Sequence, residues 1–138
     1  MIRFECDYAE GAAPQLLERL TRTNLDPTPG YAVDGHCQRA RDLIRAACAA
    51  PQAEVEFLVG GTQANQTVIS AALRPYQGAL CAQTGHINVH ETGAIEATGH
   101  KVLPLPSQDG KITPKQVEQF CAVHWADPTR EHIVQPGM

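Results

Sequence analysis

Segments with the periodicity of a strand alternate along this chain with segments that have the periodicity of a helix, and this alternation constrains the fold more than any other feature. Val55, Phe57 and Val59 alternate with Glu54, Glu56 and Leu58 and stop at Gly60-Gly61, as a strand ended by glycine would. Thr62 to Leu73 returns to helical spacing and stops before Pro75. Gly78 to Ala82 is a short apolar strand, His86 to Ala97 a helix, and Lys101 to Leu105 a strand closed by Pro104 and Pro106. Asp109-Gly110 makes a turn. Thr113-Pro114-Lys115-Gln116 then has the form of a capping box with proline at the first helical position, opening a helix to about His124. Glu131 to Val134 begins a further strand. Strands separated by helices are joined by crossovers, so the expected fold is α/β with a mainly parallel sheet.

Two helices are expected upstream. Gly11 to Thr23 carries Pro14 near its start and Leu16, Leu17 and Leu20 at helical spacing. Pro27, Pro29, Gly30 and Gly35 interrupt it, and Asp34 is placed to cap a second helix from about His36 to Ala50. Ala40, Leu43, Ile44, Ala47 and Cys48 form the apolar stripe of that helix, with Arg39, Arg41 and Arg45 on what reads as a solvated face.

A length of 138 residues with 43% hydrophobic side chains suits one domain, 1–138, and is short for two. The 11 Lys+Arg against 15 Asp+Glu leave a formal charge of −4, so a nucleic-acid footprint is not indicated. The five cysteines are widely spaced and never form a C-x-x-C pair, so they read as free thiols in a reducing compartment. No apolar run approaches the roughly 20 residues that span a bilayer. The expectation is a soluble cytoplasmic protein without a membrane partner.

Two stretches could carry chemistry. Gly60-Gly61-Thr62-Gln63 lies between a strand and a helix, where glycines let an anion approach, the helix start offers unpaired N–H groups, and the Thr hydroxyl adds a donor. A phosphate suits such a turn. An N-capped helix start without any ligand would carry the same residues, and neither common nucleotide fingerprint is present. In Thr84-Gly85-His86-Ile87-Asn88-Val89-His90-Glu91, His86 and His90 are four apart and on a helix would share a face. The zincin motif places its Glu directly after the first His, and here that slot is Ile87. Alternatively, His86 packs near a strand end with His90 and Glu91 on the helix surface, or lies flat on an aromatic ligand. Asp7-Tyr8 and Gly30-Tyr31 either offer polar groups to a cleft or, each taken singly, serve structural roles.

Taken in order, GGTQAN after a strand, TGHINVHETGA, and HKVLPLP-x-x-DGKITP resemble the threonine aldolase and β-eliminating lyase family of pyridoxal-phosphate enzymes. The resemblance runs over nearly the whole chain and implies a partial three-layer α/β/α sandwich with a mainly parallel sheet, an incomplete large domain of the aspartate-aminotransferase-like type. It implies that Gly60, Gly61 and Thr62 bind the phosphate of pyridoxal phosphate and that His86 stacks on the ring as the catalytic histidine. It places Cys6 and Asp7 at the carboxylate of an amino-acid substrate, and Tyr31 at a site between subunits of a homo-oligomer. Cys6 departs from the family's usual Ser or Asn and is a poorer hydrogen-bond donor. The complete enzyme is expected to cleave a β-hydroxy-α-amino acid to glycine and an aldehyde. The family's Schiff-base Lys, its pyridinium-pairing Asp and its substrate-binding Arg have no counterpart here, since Lys101, Lys111 and Lys115 stand in other contexts. The chain is therefore expected to be a truncated one, inactive alone. The competing readings are a phosphate- or metal-binding module and an assembly chain completed by a separate C-terminal half.

Overall fold

The computed structural model describes residue 6 and residues 8–138, in two compact units that divide between Phe57 and Leu58. In the first unit, α1 (Pro14–Thr23) begins at a proline, whose fixed φ and missing N–H suit a first helical turn. Glu18 and Arg22 pair along it, one helical turn apart. Helix α2 (Gly35–Ala47) starts where expected, with the Asp34 carboxylate accepting from the N–H of His36 at 2.9 Å and of Cys37 at 3.0 Å. No residue of α1 or α2 is buried, so Leu16, Leu17, Leu20 and Leu43 present their stripes outward.

The Asp34 carboxyl is held down at about 2, chiefly by the Cys37 side chain and then by the Cys37 and His36 N–H groups. A depressed carboxyl favours the folded helix above its ordinary value of 3.8 and loses that contribution as pH falls through about 2. Acid titration followed at the Asp34 carboxyl carbon and the His36 amide is expected to show a midpoint near 2; one near 3.8 would mean that the cap does not form.

The arginine face of α2 is not simply solvated. Arg41 donates through Nε to the Val55 carbonyl at 3.0 Å and through Nη1 to the Ala32 carbonyl at 2.7 Å, and its guanidinium lies 5.3 Å from the centre of the Phe57 ring. Arg45 Nε donates to the Ala53 carbonyl at 2.8 Å. These bonds account for a departure from expectation: residues 54–59 run without sheet pairing. Their alternation is that of a strand, but arginine side chains take the carbonyls of Ala53 and Val55, and Gln63 takes the Val59 N–H.

The second unit holds α3 (Gly61–Ala72), β1 (Gln77–Ala82), α4 (His86–Val89), β2 (Lys101–Leu105), α5 (Pro114–Ala126) and β3 (Gln135–Pro136). The strands form a parallel sheet in the order β2-β1-β3, with Gly78 opposite Lys101 and Ala82 opposite Leu105 on one side, and Gln77 opposite Gln135 on the other. The fold is thus α/β with a parallel sheet, as the alternation requires. Ile69 of α3 and Leu73, which follows its last turn, pack with Ala79, Ile95 and Val102, and Cys81 and Ile87 lie against them. Leu103 and Leu105, which alternate with Val102, are also buried, so both faces of β2 are covered. Leu105 shares an apolar cleft with Phe120 and Val123 of α5. The capping box of α5 forms as expected, Thr113 and Gln116 each bonding the other's main-chain N–H.

Two further expectations are corrected. The helix expected over 86–97 is a single turn, His86–Val89, because Thr92 and Gly93 take left-handed φ values of 54° and 74° and turn the chain. The last strand lies beyond 131–134: residues Arg130–His132 form a 3-10 turn, and pairing begins at Gln135. Among the described residues, no helix is long and apolar enough to cross a membrane.

Candidate active site

The glycine turn opens α3. Gly60 is extended, Gly61 is the first helical residue, and no side chain caps this end. The first intrahelical bond runs from Ala64 N–H to the Gly60 carbonyl at 3.1 Å, which leaves the N–H groups of Gly61, Thr62 and Gln63 pointing out of the helix start. The Gln63 amide oxygen turns back to accept the Val59 N–H at 2.9 Å and so braces the turn. A Cβ built on Gly60 or Gly61 would meet nothing within 4 Å, and neither residue has a left-handed φ. Folding therefore requires glycine at neither position. An uncapped helix start with open space before it and a Thr hydroxyl beside it is a donor set that fits a phosphate.

His86 sits at the carboxyl end of β1, the edge of a parallel sheet where ligands are usually received. Gly85 makes that placement possible, since a Cβ there would lie 2.9 Å from the Ala82 carbonyl oxygen and 3.2 Å from Cys81 Cβ. The His86 side chain is 64% exposed, yet its Nδ1 lies 2.8 Å from Glu91 Oε1, on a side chain with no exposure at all. Asn65 Nδ2 of α3 donates to the same oxygen at 2.6 Å. Gln66 Nε2, next along α3, donates to the Ala94 carbonyl at 3.0 Å. The helix that carries the glycine turn is thus bonded twice to the segment that holds His86.

Placing Glu91 on a helix surface is corrected here: the chain turns at Thr92-Gly93 and Glu91 is buried. Glu91 and Asn65 are the site residues that periodicity did not single out. The glycine of His-Glu-Thr-Gly was the available signal, since a glycine there ends the helix that would have kept Glu91 outside. The His90 ring lies 5.6 Å from that of His86 with 47° between the planes. Among the described residues, no group of three or more His, Cys, Asp or Glu gathers to hold a metal ion, so the His86/His90 pair gains no third ligand.

The remaining candidates lie in the first unit. Tyr31 is fully exposed and, with Ala32, takes left-handed φ values of 63° and 56°. Cys6 is half-buried with a free thiol, and Asp7 lies outside the described residues.

Residues 7–134 match the beta-eliminating lyase family. The chain belongs to that family. It is 28% identical over 139 residues to the low specificity L-threonine aldolase of a Pseudomonas species, covering 96% of this chain and 40% of the relative. Against the enzyme of the same name from Pseudomonas aeruginosa it is 27% identical, covering 91% of this chain and 38% of the relative. A solved structure of the threonine aldolase of Leishmania major superposes with a TM-score of 0.86 at 44% identity, over 94% of this chain and 37% of that one. The chain thus spans about two fifths of the length of these relatives. Its parallel sheet and covering helices form part of the large domain of a pyridoxal-phosphate-dependent fold.

Proposed function

We propose that these residues form the phosphate-binding and ring-facing part of a threonine-aldolase-type lyase, which cleaves a β-hydroxy-α-amino acid to glycine and an aldehyde. The observation that carries this reading is the bonding of His86 through buried Glu91 to Asn65, on the same helix whose open start is Gly61-Thr62. In this family pyridoxal phosphate, when bound, takes up the electrons of the breaking bond between the α and β carbons. The chain's own part is to hold and orient. The N–H groups of Gly61 and Thr62 and the Thr62 hydroxyl would hold the phosphate, with Gly60 keeping the approach open. The His86 ring would face the cofactor ring, fixed in direction by its bond to Glu91. Cys6, Asp7 and Tyr31 are assigned to the amino-acid substrate. The lysine that holds the cofactor covalently in the family has no counterpart in this stretch, which spans about two fifths of the relatives' length.

The test is to titrate the chain with pyridoxal phosphate and with pyridoxal, reading amide shifts in the NMR spectrum. Pyridoxal phosphate is expected to move the Gly61 and Thr62 amides and the His86 ring, and pyridoxal, which lacks the phosphate, to leave the amides unmoved. Thr62→Val should weaken binding about tenfold, the value of a hydrogen bond to a charged group. Binding that is indifferent to Thr62→Val, or that leaves both amides in place, would sink the reading. Because Gly61 is not required by the fold, Gly61→Ala is expected to keep or raise thermal stability, by up to about 1 kcal/mol, while weakening phosphate binding. Paired melting and binding curves check this.

A further inference from the structure

From the Asn65–Glu91–His86 chain of hydrogen bonds, we infer that Glu91 is a positioning residue which fixes the tautomer of His86, placing the ring hydrogen on Nδ1 and leaving Nε2 as an outward acceptor. The inference deepens the reading of His86 as the ring-facing residue and rests on it for its functional meaning. Its physical basis is independent of any cofactor. A carboxylate oxygen can only accept, and Glu91 Oε1 is approached by Asn65 Nδ2 at 2.6 Å and by His86 Nδ1 at 2.8 Å. Glu91 Oε2 is buried and has no hydrogen-bond partner among the described residues, so the whole satisfaction of this side chain falls on those two donors. A buried carboxylate with so few partners strongly favours keeping each of them.

The backbone supports the same assignment. Thr92, directly after Glu91, holds a left-handed φ of 54°, which is costly for a β-branched residue and persists where surrounding contacts fix it. That turn is what brings Glu91 inward, and the bonds from Asn65 and His86 meet it there. Because Nδ1 faces buried Glu91, Nε2 lies on the far side of a ring that is 64% exposed. His90, its ring centre 5.6 Å away, is the other titratable group set against His86, and the structure gives no hydrogen bond between the two rings. Asn65 ties the pair to α3, so the direction of the imidazole and the position of the phosphate turn are held by one network.

The test is the nitrogen-15 spectrum of histidine-labelled chain without added cofactor, above the imidazole titration range. His100 provides an internal control: its buried ring bonds through Nδ1 to the Gln77 carbonyl at 3.1 Å, and a carbonyl also requires the hydrogen on Nδ1. The wild-type chain is expected to show His86 with its hydrogen on Nδ1. Glu91→Met, which keeps the volume and removes the acceptor, should cost His86 that preference and return it to the mixture of free imidazole, while His100 keeps its own. A wild-type His86 with its hydrogen on Nε2 overturns the inference, as does a Glu91→Met chain in which both histidines stay unchanged. Loss at both rings would mean that the variant had unfolded, and the wild-type spectrum then decides alone. None of these results depends on cofactor binding. A failed pyridoxal phosphate titration beside an intact Nδ1 signal would sink the proposed function and leave the tautomer standing.

Discussion

Ile95→Ala is expected to cost the second unit about 2–5 kcal/mol, the usual range for an aliphatic side chain deleted from a packed core. Among the described residues, Ile95 is the largest side chain with essentially no exposure, and it sits in a cluster with Ile69, Leu73, Ala79 and Val102. Those neighbours come from a helix and two strands of the sheet, so the cavity left by the truncation cannot close by moving a single loop. The cost matters because small domains have only about 5–15 kcal/mol of stability in all. Ile95 also follows Ala94, whose carbonyl holds Gln66, so loosening this point loosens the turn that carries Glu91. Urea unfolding of Ile95→Ala beside Val68→Ala measures the effect, since Val68 lies on the same helix as Ile69 with 54% exposure and should lose under about 1 kcal/mol. Equal losses for the two would show that Ile95 is not the centre of this core.

Gly78→Ala is expected to cost about 1–3 kcal/mol, the range for overpacking a well-filled interior, with the upper end favoured by what the methyl would meet. A Cβ on Gly78 would lie 2.6 Å from the Lys101 carbonyl oxygen and 3.0 Å from Cδ1 and Cγ of Leu103. The first of these is backbone in the neighbouring strand, so it yields only if β1 and β2 separate at the start of their shared ladder. Gly78 also pairs with Pro136 of β3, which leaves no free side toward which the strand could shift. Gly60→Ala is the contrast, since its new methyl enters open space and should leave the melting temperature nearly unchanged. If both variants melt alike, the tight β1–β2 approach at Gly78 is not real.

The sequence was legible wherever local chemistry decided the outcome. The Thr113–Gln116 capping box, the Asp34 cap and the proline start of α1 use contacts within a few residues, and all three form. β1 and β2 were equally plain, as short apolar runs bounded by glycine and proline. The helix expected over 86–97 stops at the local turn of Thr92-Gly93, whereas the misreading at 54–59 and the surface placement of Glu91 share a cause in side chains acting at a distance. Arg41 and Arg45 reach from α2 to take carbonyls that a strand would need, 14 and 8 residues away in the chain. Asn65 reaches 26 residues to hold Glu91 inside, so a glutamate that periodicity assigns to a surface becomes the buried anchor of His86. The glycine turn and His86 were visible as isolated features. What joins them was not, because that bond runs between elements and leaves no periodic trace.

The left-handed backbone at Tyr31 and Ala32 has a consequence for how this sequence would respond to selection. Each such residue gives up about 1–2 kcal/mol that glycine would keep. The bond from Arg41 Nη1 to the Ala32 carbonyl offsets part of that cost. A laboratory selection for heat resistance alone should therefore enrich glycine at position 31 and discard the phenol. A selection on this stretch carried within a complete enzyme of the family, demanding turnover as well, should retain the tyrosine if its ring meets the substrate, so the two enrichment profiles, laid side by side, would reveal at this one position whether the aromatic ring serves anything besides the fold.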